Sequence, residues 1–205
     1  MDQTISIMGQ FNQAKHINFV PRLMAENVDM PASVCLVIAN SLTPSAKVLT
    51  LGTRYNKRVV ECRFAVAMLA LRCGLISDFL EKRVSTFQQL QETLNETKEG
   101  MLKLVSEQLR PGGYTPAQIE QQGNVDDCFE LVNDVPHIEK VRTQNAQYFL
   151  YERAMHVFAE SKRVSDFKIT CESQELTEEQ KVKKLGQLMN ESHQSCDELY
   201  DCSST

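Results

Sequence analysis

Asn56-Lys-Arg-Val-Val-Glu-Cys-Arg-Phe-Ala-Val-Ala-Met-Leu-Ala-Leu-Arg72 is the stretch on which the reading of the fold turns. Its apolar residues Val59, Val60, Cys62, Phe64, Val66, Ala67, Leu69 and Ala70 spread over most of a helical surface, so the spacing predicts a largely buried helix. Cys73-Gly74 ends it, because glycine reaches the left-handed C-cap conformation without steric cost. Downstream the chain continues in helical patterns. Shorter helices are expected at 87–94 and 100–109, the second stopped by Pro111-Gly112-Gly113. Thr115 followed by Pro116 marks a further helix start. After the acidic loop Asn124-Val-Asp-Asp, a glycine- and proline-free stripe of Phe149, Leu150, Met155, Val157, Phe158, Val164 and Phe167 predicts one long helix over 139–171. Thr177-Glu-Glu-Gln has the form of a capping box, and the helix it opens runs through Leu185 and Leu188 toward Tyr200.

Upstream of Asn56 the pattern changes. Lys15-His-Ile-Asn-Phe-Val20 alternates, residues 34–40 are apolar and partly β-branched, and Pro21 and Pro31 punctuate them, which predicts two strands. Thr43-Pro-Ser-Ala reads as the loop between this part and the helices. The expected class is α+β and mostly helical.

The 205 residues are 42% apolar and 24% charged, enough to bury a core. With 22 Lys and Arg against 27 Asp and Glu, the net charge is -5, and no basic run is present to meet a phosphate backbone. Nucleic acid and anionic membrane are excluded as expected partners. The longest uncharged apolar stretch, Val34-Cys-Leu-Val-Ile-Ala39, falls far short of the roughly 20 residues of a membrane helix, and a cytoplasmic protein is expected. The seven scattered cysteines read as reduced thiols, and the four histidines lack metal-ligand spacing, so no metal site is expected.

Chemistry is not legible from motifs alone. The chain has no G-x-x-x-x-G-K-[ST] and no G-x-G-x-x-G, and Ser192 and His193, adjacent on a helix, cannot face one another as a triad with the nearby Asp197 would require. Arg58 and Glu61, three apart on one helix, read as a surface pair worth at most about 0.5 kcal/mol.

Five blocks taken in order carry more. They are Met1-Asp2-Gln3 with Ser6-Ile7; Val37-Ile-Ala-Asn-Ser41; Tyr55-Asn-Lys-Arg-Val-Val-Glu-Cys-Arg63; Tyr151-Glu-Arg-Ala-Met-His-Val-Phe158; and Leu185-Gly-Gln-Leu-Met-Asn-Glu-Ser-His-Gln-Ser-Cys196 with Leu199-Tyr-Asp-Cys-Ser203. Together they resemble the galactokinase branch of the GHMP sugar kinases. The stretch 99–122 resembles the eukaryotic galactokinase and N-acetylgalactosamine kinase subgroup.

The resemblance implies a GHMP-kinase-like α+β fold. Residues 1–50 would supply a hairpin-like portion of a larger sheet that includes the catalytic aspartate block, and residues 51–205 the helical remainder. It implies transfer of the ATP γ-phosphoryl group to the anomeric hydroxyl of galactose or N-acetylgalactosamine, with Mg-ATP as cosubstrate. Asp2 matches the family's catalytic carboxylate, suited to orient the sugar hydroxyl and take its proton. Tyr55 matches a sugar-binding tyrosine, whose ring suits a C–H face and whose hydroxyl suits a sugar oxygen. His193 and Tyr200 match positions read as packing and hydrogen bonding. No nucleotide-binding residue can be assigned, because the family's G-R-V-N-x-I-G-E-H segment, its glycine- and serine-rich phosphate loop and its C-terminal glycine-rich segment have no counterpart here. The chain is therefore expected to be an internal part of such an enzyme, inactive alone. The alternative is a noncatalytic sugar-sensing or protein-interaction module.

Overall fold

The computed structural model describes residues 2–40, 42, 54–75 and 84–202. The expected loop Thr43-Pro-Ser-Ala lies outside them. In chain order the elements are α1 (Asp2–Met8), β1 (Gln13–Asn18), β2 (Met24–Asp29), α2 (Asn56–Arg72), α3 (Phe87–Leu94), α4 (Lys98–Gln108) and α5 (Pro116–Gly123). A 3₁₀ segment at Cys128–Val132 follows, then α6 (Ile138–Gln144), α7 (Leu150–Glu172) and α8 (Glu178–Glu198). Contacts divide the chain into two units, Met1–Ser41 with Arg163–His193, and Leu42–Lys162 with Gln194–Thr205. No helix among the described residues is long and apolar enough to cross a membrane.

The larger unit is built around α2, as its sequence predicts. Val60, Phe64, Ala67 and Leu69 are fully buried there, each of the larger side chains contributing about 1.5–3 kcal/mol by leaving water. Phe64, Phe129 and Tyr148 meet edge to face, with ring centroids 5.3 to 5.8 Å apart. The helix stops where expected: Gly74 takes φ +76°, and the Leu75 amide returns to the Ala70 carbonyl at 2.8 Å. Capping boxes open α3 at Thr86 with Gln89 and α5 at Thr115 with Gln118, and Pro116 fills the first turn of α5.

One long helix over 139–171 is not what forms. The chain breaks between α6 and α7, because Tyr148 pairs its backbone with Tyr114, each amide reaching the other's carbonyl at 2.8 Å. Asn145 closes α6 by donating from Nδ2 to the Val141 carbonyl at 2.7 Å. Neither glycine nor proline marks the break, so periodicity reads through it.

In the smaller unit, β1 and β2 form an antiparallel hairpin in register from Gln13 opposite Asp29 to Asn18 opposite Met24. Its core gathers Val28, Cys171 and Leu185, with Ala14, Met30, Val34 and Phe167 packed against them. Lys168 reaches Glu26 across the hairpin face, lowering the Glu26 pKa and raising its own. The strand expected at 15–20 thus sits two residues earlier, and the one expected at 34–40 is corrected. Residues 34–40 form no strand, and Leu36, Val37 and Ile38 are exposed, Ile38 to 98%. An apolar run becomes a strand only where a neighbour accepts its hydrogen bonds, and the partner of β1 is instead the polar Met24-Ala-Glu-Asn-Val-Asp29.

Candidate functional site

Asp2 stands in the first turn of α1, exposed, its carbonyl accepting a hydrogen bond from Ser6 Oγ at 2.8 Å. Tyr55 belongs to the larger unit. With Arg54 it forms a π-type turn leading into α2, and the residue is 57% exposed. The two expected site residues therefore lie in different units.

What the fold does assemble is a charged network behind Tyr55. Glu61 is wholly buried, and its carboxylate accepts from the Phe149 amide at 3.0 Å, Arg153 Nε at 2.6 Å and Arg58 Nη1 at 3.3 Å, with Lys57 Nζ at 3.7 Å. The expectation of a surface pair at Arg58 and Glu61 is corrected, since Arg58 is buried as well. Arg58 Nε donates to the Tyr200 carbonyl at 2.7 Å, and Arg153 reaches the Leu199 carbonyl. The Asp201 carboxylate receives Arg58 on one oxygen and Arg54 Nη2 on the other, the latter at 3.2 Å. Two buried guanidiniums are thus neutralised by one buried carboxylate, one outer carboxylate and a row of carbonyls. That is the full pairing buried charge requires. Lys57, part-buried over the Phe149 ring, has its pKa lowered by desolvation despite Glu61.

The network joins segments far apart in sequence: 54–61 of α2 and its lead-in, 149–153 at the start of α7, and 199–201 after α8. Sequence reasoning missed Glu61 and Arg153. The available signal was one carboxylate and one guanidinium, each set among apolar positions of a buried helix. Tyr200 stacks on His156 with centroids 4.5 Å apart, and His156 Nδ1 lies 2.9 Å from Ser195 Oγ, which bears out a packing role for Tyr200.

Burial, assisted by the Glu61 charge, pushes the Cys62 thiol up to about 12; burial and Glu120 do the same to Cys128. Below pH 9 both folded and unfolded chains keep these protons, whereas between 9 and 12 only the unfolded chain releases them. Stability is therefore expected to fall as pH rises through that window, and Cys128→Ala to flatten the fall. A urea midpoint insensitive to pH there would contradict it. At neutral pH, iodoacetamide should label exposed Cys35 and Cys202 and spare Cys128 until denaturant is added.

Mg-ATP needs amides at a glycine-rich turn or helix N-terminus to hold its phosphates. The described residues do not fit it. One amide in the first turn of each of α3, α4, α5 and α8 goes to the hydroxyl of Thr86, Thr97, Thr115 and Thr177 respectively, and the Phe149 amide before α7 goes to Glu61. Glu120, Asp127 and Cys128 lie close enough to hold a cation, but Asp127 is bound to Arg142 at 2.8 Å and to the Phe129 amide, and Glu120 to the Cys128 amide.

Compared with known proteins, the chain is 35% identical over 216 residues to a galactokinase of Dictyostelium discoideum, covering 99% of this chain and 42% of that protein. It is 31% identical over 231 residues to a galactokinase of Saccharomyces cerevisiae, covering 99% and 43%, and 26% identical over 238 residues to one of Schizosaccharomyces pombe, covering 100% and 44%. The chain matches no protein-family model. The similarity to these galactokinases runs along the whole chain, which spans less than half of their length.

Proposed function

We propose that this chain is part of a galactokinase-type sugar 1-kinase of the GHMP branch, which moves the γ-phosphoryl group of Mg-ATP to the anomeric hydroxyl of galactose or N-acetylgalactosamine in the cytoplasm. The observation that carries the proposal is similarity to galactokinases across 99% of the chain. In this reading Asp2 is the catalytic carboxylate and Tyr55 the sugar platform. The hairpin and residues 34–40 continue a larger sheet, as the exposed apolar run Leu36-Val-Ile38 would suit. The chain's own contribution is acceptor-side: a carboxylate to orient the sugar hydroxyl and take its proton, and an aromatic face held by a buried ion network. Nucleotide binding belongs to the part of the enzyme that this chain does not match.

By itself the chain is expected neither to bind Mg-ATP at micromolar concentration nor to phosphorylate galactose. Joined to the portion of the Dictyostelium discoideum galactokinase that the similarity leaves unmatched, it is expected to do both. Calorimetric titration with Mg-ATP and a coupled galactose assay on the two proteins test this. Turnover by the 205 residues alone would sink the claim that they are incomplete. A folded, ATP-binding joined protein that leaves both sugars untouched would favour a noncatalytic sugar-sensing module.

A further inference from the structure

Arg54 and Arg58 flank Tyr55 on the first turns leading into α2, and one acidic residue holds both. Asp201 receives Arg54 Nη2 on Oδ1 at 3.2 Å and Arg58 Nη2 on Oδ2, and its carbonyl accepts from the same two guanidiniums at 3.4 and 3.1 Å. Its left-handed backbone, φ +51°, presents carbonyl and carboxylate to one pair of partners, a conformation aspartate tolerates better than most residues. Tyr55 lies between those partners in the chain and is 57% exposed.

We propose that Asp201 is a positioning residue for Tyr55: by fixing Arg54 and Arg58 it holds the turn that presents the phenol to a bound sugar. The inference rests on the reading of Tyr55 as the sugar contact. Loss of the Asp201 carboxylate removes one of the two anions beside Arg58, but Arg58 keeps Glu61 and the carbonyls of Tyr200 and Asp201, so the fold is expected to survive with some loss of stability. Arg54 is about half exposed, and its ion pair adds little stability. The carboxylate's effect should therefore fall on orientation, where small displacements cost much in a bound geometry.

Two measurements test it. In the 205-residue chain labelled with 3-fluorotyrosine, with Tyr55→Phe to assign the line, Asp201→Asn should shift and average the Tyr55 fluorine resonance while the buried Tyr114 and Tyr148 lines stay in place, and Asp201→Glu should restore it. In the joined enzyme, Asp201→Asn should raise the galactose KM about three- to tenfold. The Mg-ATP KM should move far less, and the sugar effect should disappear in a Tyr55→Ala background. A Tyr55 line unmoved by Asp201→Asn overturns the proposal whatever the enzyme does. So does a sugar KM effect of Asp201→Asn that persists undiminished in Tyr55→Ala. If Tyr55→Ala leaves the galactose KM unchanged, it is the reading of Tyr55 that fails, and the fluorine result then separates the two.

Discussion

Glu61→Gln is expected to cost about 3–5 kcal/mol of folding stability, the loss typical when one partner of a buried ion pair is removed and the other charge stays behind. The glutamine keeps the shape of the site and can still accept from the Phe149 amide, so the loss is one of charge. Arg153, 3% exposed, would lose its carboxylate and keep the Leu199 carbonyl, Lys57 would lose its nearest anion, and Arg58 would be left with Asp201 of its two carboxylates. Against a usual total of about 5–15 kcal/mol, that leaves the larger unit marginal. The measurement is a urea midpoint at unchanged m-value. A drop below about 1 kcal/mol would mean that water reaches Glu61 and the network is solvated. The double variant Glu61→Gln/Arg153→Met should recover part of the loss, because it removes the guanidinium orphaned by the single substitution while keeping an acceptor for the Phe149 amide.

That network also marks where the sequence stops being legible. The α2 helix could be read because its apolar residues run from Val59 to Leu71 and glycine stands just past its end; local information suffices. The capping boxes at Thr115 and Thr177 are equally local, with donors three residues from their acceptors. Glu61 and Arg153 are 92 residues apart. On α2 alone Glu61 has Arg58 for a neighbour, and the surface-pair reading is then the natural one. Only the fold reveals that the same carboxylate also takes the Phe149 amide, which is what begins α7 after the break at Tyr148. The break and the network are thus one event, hidden for one reason: both depend on long-range partners.

The strands failed differently. Hydrophobicity pointed to residues 34–40, yet hairpin geometry favours the segment that can fold straight back on β1, and a polar sequence can supply that ladder when its backbone is within reach. Of the candidate site, Asp2 and Tyr55 came from ordered resemblance and from nothing in their local physics. Asp201 and Arg54 were invisible, since an aspartate after the last helix and an arginine before α2 carry no periodicity.

Asp2→Ala in the joined enzyme is expected to lower kcat by about 10²- to 10⁴-fold, the range in which a positioned acid or base contributes. The fold gives little reason for any other effect. Asp2 is exposed on a helix with no buried residue, and the hydrogen bond from Ser6 Oγ goes to its backbone carbonyl and survives the substitution. What the carboxylate adds to the helix is a favourable charge near the N-terminal end of the dipole, about 0.3–1 kcal/mol at most for an exposed position. Stability and chemistry are therefore separable at this residue: the urea midpoint of the 205-residue chain should barely move, and the Mg-ATP KM of the joined enzyme should hold. Asp2→Asn sharpens the test, because the amide keeps size and hydrogen-bonding capacity but cannot take a proton. If proton acceptance is the role, the asparagine enzyme is as slow as the alanine one; if orientation of the sugar hydroxyl is the larger part, it recovers a good fraction of the lost rate. Full turnover by both variants would remove Asp2 from the reaction, and the catalytic carboxylate would then have to be sought elsewhere.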